Sequence, residues 1–217
     1  MGELSNDPFL AARLILTLRR AGITDADVLR AIEAVPRRAF VEVDVADLAY
    51  EDCVLPIGCG QTLEPPSVVA SMLQALNLKT PNEAKVLVIG AGSGYTLALL
   101  NLLAGEVMAM ERFRRLKDRA LHNLATIGIA SIEVRHADGL AGWPDRGPFD
   151  RILLTGEVTE VPAALLSQLT ERGTCIAPIS NPANQTILTV LNAEGREVAA
   201  RPTVHHTPLR HGVSKVL

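Results

Sequence analysis

An α/β fold, with a doubly wound and mostly parallel sheet behind an N-terminal helical extension, is what this sequence predicts on three observations. From Lys85 onward, short apolar runs alternate with stretches of helical spacing, the pattern of a parallel sheet covered by helices. The first run, KVLVI, passes directly into GAGSG and then TLALLNLLAG, which is a strand, a glycine turn and a helix start in succession. No repeat or low-complexity linker divides the 217 residues, of which 48% are hydrophobic, so one domain with a sizeable core is expected over 1–217. Within it, 1–80 read as a helical and hairpin extension and 81–217 as the core.

Taken in order, residues 8–21 carry leucines and isoleucine at helical spacing, with Gly22 placed to stop the helix. Thr24 reads as the N-cap of a second helix over 25–34, which ends before Val35-Pro36. Between 40 and 62, short apolar pieces punctuated by Pro56, Gly58 and Gly60 predict an irregular hairpin-like segment. Pro65-Pro66 then opens a helix over 67–76. Core strands are expected at 86–89, 107–110, 132–135, 149–154 and 174–178. Helices are expected to about Leu103, over 112–127 and over 162–169. TILTVLN and REVAARPTV flank a turn at 192–195 and read as an antiparallel pair closing the sheet edge.

A net charge of −3 without a clustered lysine tract gives no footprint for nucleic acid or a membrane surface. The leading MGELSNDPF has no basic stretch followed by an apolar one, and 97–110 is interrupted by Asn101, Gly105 and Glu106. A cytoplasmic location is therefore expected. Cys53, Cys59 and Cys175 are odd in number and lack C-x-x-C spacing, so neither a disulfide framework nor a metal site is expected.

Ligands of such sheets sit beyond the carboxyl ends of the strands, where the turn at 90–94, Glu111, Asp138 and the loop after Leu154 would meet. A dinucleotide site would need glycine at position 95 to complete G-x-G-x-x-G, and the chain has Tyr95. Glu111 ends the next strand at about the ~20-residue offset of a ribose-holding acid, against the alternative of a surface residue opening a helix. Asp138, in HADGLAGW, is either a second such acceptor or an ordinary turn aspartate before glycine.

GQT with a proline-bearing helix start, VLVIGAGSGY, a strand ending in Glu-Arg, VRHADGLAGWP, FDRILLT, EVPAALLSQL and a final TPL occur in that order. Together they resemble the protein-L-isoaspartate O-methyltransferase family over nearly all of the chain, from about Ala39 to Leu209. The resemblance implies a Rossmann-like, S-adenosyl-L-methionine-dependent methyltransferase that releases S-adenosyl-L-homocysteine. Its acceptors would be isoaspartyl (and D-aspartyl) carboxyls of damaged proteins or peptides, methylated as a step in repair by a protein favoured to be a monomer. It places Gly90, Ala91, Gly92 and Ser93 around the methionine part of the cofactor, Glu111 at the ribose hydroxyls, Asp138 with Gly139 at the adenine edge, and Arg112 among the cofactor-binding residues. Thr62 and Glu64 would sit at the chemistry, while Leu63, Pro208 and Leu209 would line the peptide groove.

Such a reaction needs little acid/base machinery, because an aspartyl-type carboxyl with a reference pKa near ~3.9 is already a nucleophile at neutral pH. Positioning is the task, and it is worth on the order of 7 to 11 kcal/mol. The five histidines, His122, His136, His205, His206 and His211, thus read as surface or packing residues, with His205 and His206 the two that could border a substrate.

Three stretches depart from the family pattern. Thr62-Leu63-Glu64-Pro65 has Glu64 where T-I-S-x-P has serine; GEVTEVP has Glu157 and Val158 where alanines are usual; and HHTPL has histidines where an apolar or aromatic residue is usual. Two like charges about 4 Å apart repel by about 4 kcal/mol at an effective dielectric near 20. Either Glu64 turns away, it is protonated, or the acceptor is not an isoaspartyl carboxylate. A divergent methyltransferase with another acceptor and a non-catalytic cofactor-binding protein are the alternative readings. Arg210, next to TPL, reads as a solvated arginine that would otherwise offset the added charge.

Overall fold

The structure, a computed structural model, describes residues 7–78 and 83–214. The expected boundary at 80/81 and most of the leading stretch lie outside the described residues.

Helix α1 (Pro8–Arg20) starts where the Asp7 carboxylate accepts the Phe9 and Leu10 N–H groups at 3.0 and 3.2 Å, and it buries Ala11, Leu14 and Leu18. Helix α2 (Ala26–Ala34) is capped by Asp25 rather than Thr24. The Asp25 carboxylate accepts from Asp27 and Val28, while the Thr24 N–H donates to Gln74 Oε1 at 2.8 Å; a tertiary partner has displaced the hydroxyl cap. Two 3₁₀ turns, Arg37–Phe40 and Val43–Leu48, lead to an antiparallel hairpin of β1 (Leu55–Gly58) and β2 (Gln61–Leu63). Helix α3 (Pro66–Leu76) follows with proline at its first position.

The core runs β3 (Lys85–Ile89), α4 (Tyr95–Leu103), β4 (Glu106–Glu111), α5 (Arg114–Thr126), β5 (Glu133–His136), β6 (Phe149–Leu154), α6 (Ala163–Leu166), β7 (Leu169–Ser180), β8 (Thr186–Asn192) and β9 (Glu197–Thr203). The strand order is β5-β4-β3-β6-β7-β8-β9, parallel through β7, with β8 antiparallel to both of its neighbours. The expected edge pair is present. Alternate residues of β3 enter two apolar layers: Val86 and Val88 pack with residues of α1 to α5, and Leu87 and Ile89 with Trp143, Phe149 and Leu165 on the α6 side.

One expected element is shortened. The helix placed at 162–169 covers only Ala163–Leu166, because the Phe149 N–H donates to Gln168 O at 2.8 Å and Leu169 already pairs with Phe149 in the sheet. Strand pairing overrode the helical spacing. Among the described residues no helix is long and apolar enough to cross a membrane. Cys53, Cys59 and Cys175 are unpaired. The chain order reverses between β3, which runs on to β4, and its other neighbour β6, and the crevice this leaves lies at the carboxyl ends of these strands.

Candidate active site

A pocket opens at that crevice, and a second adjoins it. The two share Ile57, Thr62, Glu64, Gly90, Gly92 and Thr155. The floor is the turn after β3. Gly90 has φ +98°, and a Cβ there would lie 2.3 Å from Thr155 Oγ1, so glycine is required twice over. The Thr155 hydroxyl, at the end of β6, lies 3.0 Å from Ile89 O and 2.9 Å from Gly90 O, and clips the turn to the neighbouring strand. Asn123 of α5 donates to Ser93 O at 2.9 Å from the other side.

Glu111, at the tip of β4, is 5% exposed and lines the first pocket. One carboxylate oxygen accepts the Gly92 N–H at 3.0 Å and the other the Phe113 N–H at 2.9 Å. Burial raises its pKa, against the pull of those backbone donors. Each oxygen keeps a further lone pair for a ligand hydroxyl. Arg112 and Gly139 also line this pocket, while Ala91 and Ser93 line the second. Ser93 Oγ is buried with no partner.

Asp138 is placed differently from these residues. It is not among the pocket's lining; its Oδ1 accepts from Leu140 N at 3.0 Å and its Oδ2 from Gly212 N at 2.7 Å, with His211 Nδ1 at 3.4 Å. The C-terminal segment is fastened beside it, since Ser214 N–H donates to Arg112 O at 2.9 Å and Arg112 Nε to Gly212 O at 3.2 Å.

The opposite wall brings together segments far apart in sequence. Thr62 Oγ1 and Thr207 Oγ1 are 2.9 Å apart, and Thr207, Pro208, Leu209 and Arg210 all line the first pocket. Leu63 lines the second only and otherwise packs in the core against β1. Arg210 is exposed at the mouth. Glu64 lines both pockets at 8% exposure, and its Oε2 has no partner. Burial lifts its pKa to about 7, against the Thr62 hydroxyl, the Arg37 charge and the Thr207 N–H. Of the alternatives the sequence posed for this residue, burial and the raised pKa favour the protonated one.

Glu157 does turn away. Its Oε2 accepts from the Thr186 hydroxyl at 2.6 Å and from the His206 N–H at 3.3 Å, with His205 Nδ1 also at 3.3 Å. Its backbone pairs with the TPL segment: Glu157 N–H donates to Thr207 O at 3.1 Å and Leu209 N–H to Glu157 O at 2.8 Å. Neither His205 nor His206 lines the first pocket; His206 is buried, with Nδ1 3.7 Å from Glu64 Oε1. The three departures thus meet as two contacts, Glu157 with His205 and Glu64 with His206.

Sequence reasoning passed over Arg37 and Thr155. Thr155 occupied a strand-end position that the switch-point rule marks. Arg37 carried no such signal: it is wholly buried, donates from Nη2 to Glu64 O at 2.7 Å and lies 4.7 Å over the Tyr95 ring.

A sequence profile of the family protein-L-isoaspartate(D-aspartate) O-methyltransferase matches residues 11–212. The chain belongs to this family. A protein-L-isoaspartate O-methyltransferase of Azorhizobium caulinodans is 43% identical over 208 residues, covering 95% of each chain. One from Marinobacter nauticus is 42% identical over 202 residues, covering 93% of this chain and 91% of its own. Among solved structures, a protein-L-isoaspartate O-methyltransferase superposes with a TM-score of 0.77 at 26% identity, over 91% of this chain and 65% of that one. A Plasmodium falciparum structure in complex with S-adenosyl-L-homocysteine shares the fold, with a TM-score of 0.80 at 23% identity over 91% of this chain and 97% of its own. Family membership accounts for the colinear motifs, and the Rossmann-like methyltransferase architecture accounts for the parallel sheet.

Proposed function

We propose that this chain uses S-adenosyl-L-methionine to methylate the side-chain carboxyl of L-isoaspartyl residues in damaged proteins, the first step of their repair. The observation that carries it is the pocket at the switch point, where a glycine turn and Glu111 on one side face the Thr62–Glu64 and Thr207–Leu209 segments on the other. The residues present fit the cofactor. A Cβ on Gly139 would lie 2.6 Å from Ile89 Cγ2, so the β5 loop closes against β3, while the orphaned Ser93 oxygen and the second lone pairs of Glu111 await polar partners.

In this reading Gly90 to Ser93 hold the methionine part, Glu111 accepts from the ribose hydroxyls with Arg112 beside it, and Gly139 backs the adenine edge. Asp138 contributes there once Gly212 releases its Oδ2. Bound S-adenosylmethionine supplies a methyl group already activated by the sulfonium. The chain's own residues therefore position and exclude water: Thr62 and Thr207 border the acceptor, Pro208 and Leu209 line the peptide, and the Glu157 contacts hold that segment against β6. The proposal takes 1–217 as one domain, supported by the apolar layer that α1 to α3 share with α4 and α5. It takes the protein as a cytoplasmic monomer whose partners are isoaspartyl-containing proteins or peptides. Transfer of labelled methyl to an isoaspartyl peptide, and not to its aspartyl isomer, is the expected result; no transfer above blank would refute it.

A further inference from the structure

The carboxyl of Glu64 is buried, and although the Thr62 hydroxyl and the Thr207 N–H favour its charged form, one of its oxygens is left over. That oxygen, Oε2, is buried without a partner in a residue that lines both pockets. The Arg37 charge favours the carboxylate without outweighing burial: Nη2 donates to the Glu64 backbone carbonyl, the guanidinium lies over the Tyr95 ring, and Nε and Nη1 are buried without a hydrogen-bond partner. From the C-terminal segment comes His206, whose Nδ1 is also buried without a partner and stands 3.7 Å from Glu64 Oε1, beyond hydrogen-bond range. Burial holds that imidazole neutral, lowering its pKa to about 4 against the attraction of Glu157, which receives the His206 N–H. The remaining groups on this space are Glu111 and Arg112 from the tip of β4, Tyr95 from α4, the hydroxyls of Thr62 and Thr207, and exposed Arg210. None is hydrogen-bonded to Oε2.

A carboxylate in that setting is poorly supported, whereas a carboxylic acid has a proton to give and no protein acceptor to take it. The missing acceptor is the ligand. We propose that Glu64 works as a protonated hydrogen-bond donor that holds one oxygen of the methyl-accepting carboxylate, with His206 as the positioning residue that sets the pH at which it ionises. This rests on the proposed function and makes the acceptor class specific: an anionic carboxylate is favoured because the neighbouring acid is neutral. The proton stays on Glu64 throughout, and the acceptor's second oxygen remains free for the transfer. The buried acid stands where the family pattern has a hydroxyl donor and supplies an equivalent donor, but only below the pH at which it ionises.

The test compares pH profiles of methyl transfer to an isoaspartyl peptide for the wild type, Glu64→Gln and His206→Phe. Wild-type kcat/KM is expected to fall ~10-fold per pH unit above about pH 7, following the acid fraction. Glu64→Gln keeps a donor that does not titrate and should hold its rate within ~3-fold over the same range. His206→Phe makes the surroundings more apolar and should move the midpoint upward. In parallel, infrared spectra of the S-adenosylhomocysteine complex should show a protonated-carboxyl band that disappears through the same midpoint and is absent in Glu64→Gln. Coincident wild-type and Glu64→Gln profiles, or no such band at about pH 6, overturn the inference, and an unmoved midpoint in His206→Phe removes the part assigned to His206. A wild type that transfers no methyl at any pH defeats the proposed function instead, and the infrared band still decides the protonation of Glu64.

Discussion

The two walls of the pocket are built on different plans. The proposed cofactor wall consists of strand ends and the turns that directly follow them, Ile89 to Gly94 and Met110 to Phe113, tied to each other by Gly90 N–H to Met110 O and Gly92 N–H to the Glu111 carboxylate. The proposed acceptor wall is assembled from three segments distant in the chain, β2 with Glu64, the loop at Gly156, and residues 207–210. The first is fixed by local backbone geometry and tolerates little. The second is held by side-chain contacts as well as by the backbone pairing of Glu157 with Thr207 and Leu209, so it can exchange a hydroxyl for an acid provided that a partner changes with it. The departures from the family pattern fall on or beside this wall, where Glu157 meets Thr186 and His205 and Glu64 lies 3.7 Å from His206.

Four substitutions test this division, beginning with the most damaging. Gly90→Ala forces a side chain into φ +98° against Thr155 Oγ1, and should cost on the order of 3 kcal/mol of stability and at least ~100-fold in S-adenosylhomocysteine affinity. Thermal unfolding and calorimetry measure both, and an unaffected affinity would show that the wall is not rigid.

Glu64→Gln is expected to act through pH. Because Glu64 binds its proton more tightly folded than unfolded, its stabilising effect is complete below the unfolded pKa near ~4.3 and is lost as pH rises through about 7. The loss approaches on the order of 3 kcal/mol by about pH 8. Denaturant unfolding should show the wild type weakening relative to Glu64→Gln across that interval, and parallel curves would mean that Glu64 is ionised throughout.

Glu157→Ala releases Thr186, His205 and the His206 N–H together. About 1 to 2 kcal/mol of local order should be lost, raising the peptide KM ~5-fold while cofactor affinity holds, because the two walls are separately built. A matching loss of cofactor affinity would break the comparison. His211→Ala removes a contact between side chains that are 74% and 27% exposed, and stability should change by less than ~0.5 kcal/mol.

The same division explains what could be read from the sequence. Every core strand and the glycine turn were legible because they are set by apolar runs and glycines within a few residues of one another. Glu111 was legible because a strand end at a fixed offset is a local rule. Local reasoning failed where a distant partner intervened: Gln74 took the N–H of Thr24 and left Asp25 to cap α2, and Phe149 drew Gln168 and Leu169 out of helix and into sheet. The relation of Glu64 to His206, and the burial of Arg37 beneath Glu64, depend on where β2 and the C-terminal segment meet. Neither has a signature at any spacing along the chain. Glu157 adds a charge where the family pattern has alanine, and its partners Thr186 and His206 hold it away from the pocket lining.

The most direct measurement is a crystal structure of the protein with S-adenosylhomocysteine and an isoaspartyl peptide bound together. The account predicts the ribose hydroxyls on Glu111, the thioether sulfur over the Gly90–Gly92 turn, and the peptide carboxylate within hydrogen-bond distance of Glu64. A nucleoside bound elsewhere, or a peptide carboxylate facing away from Glu64, would contradict it.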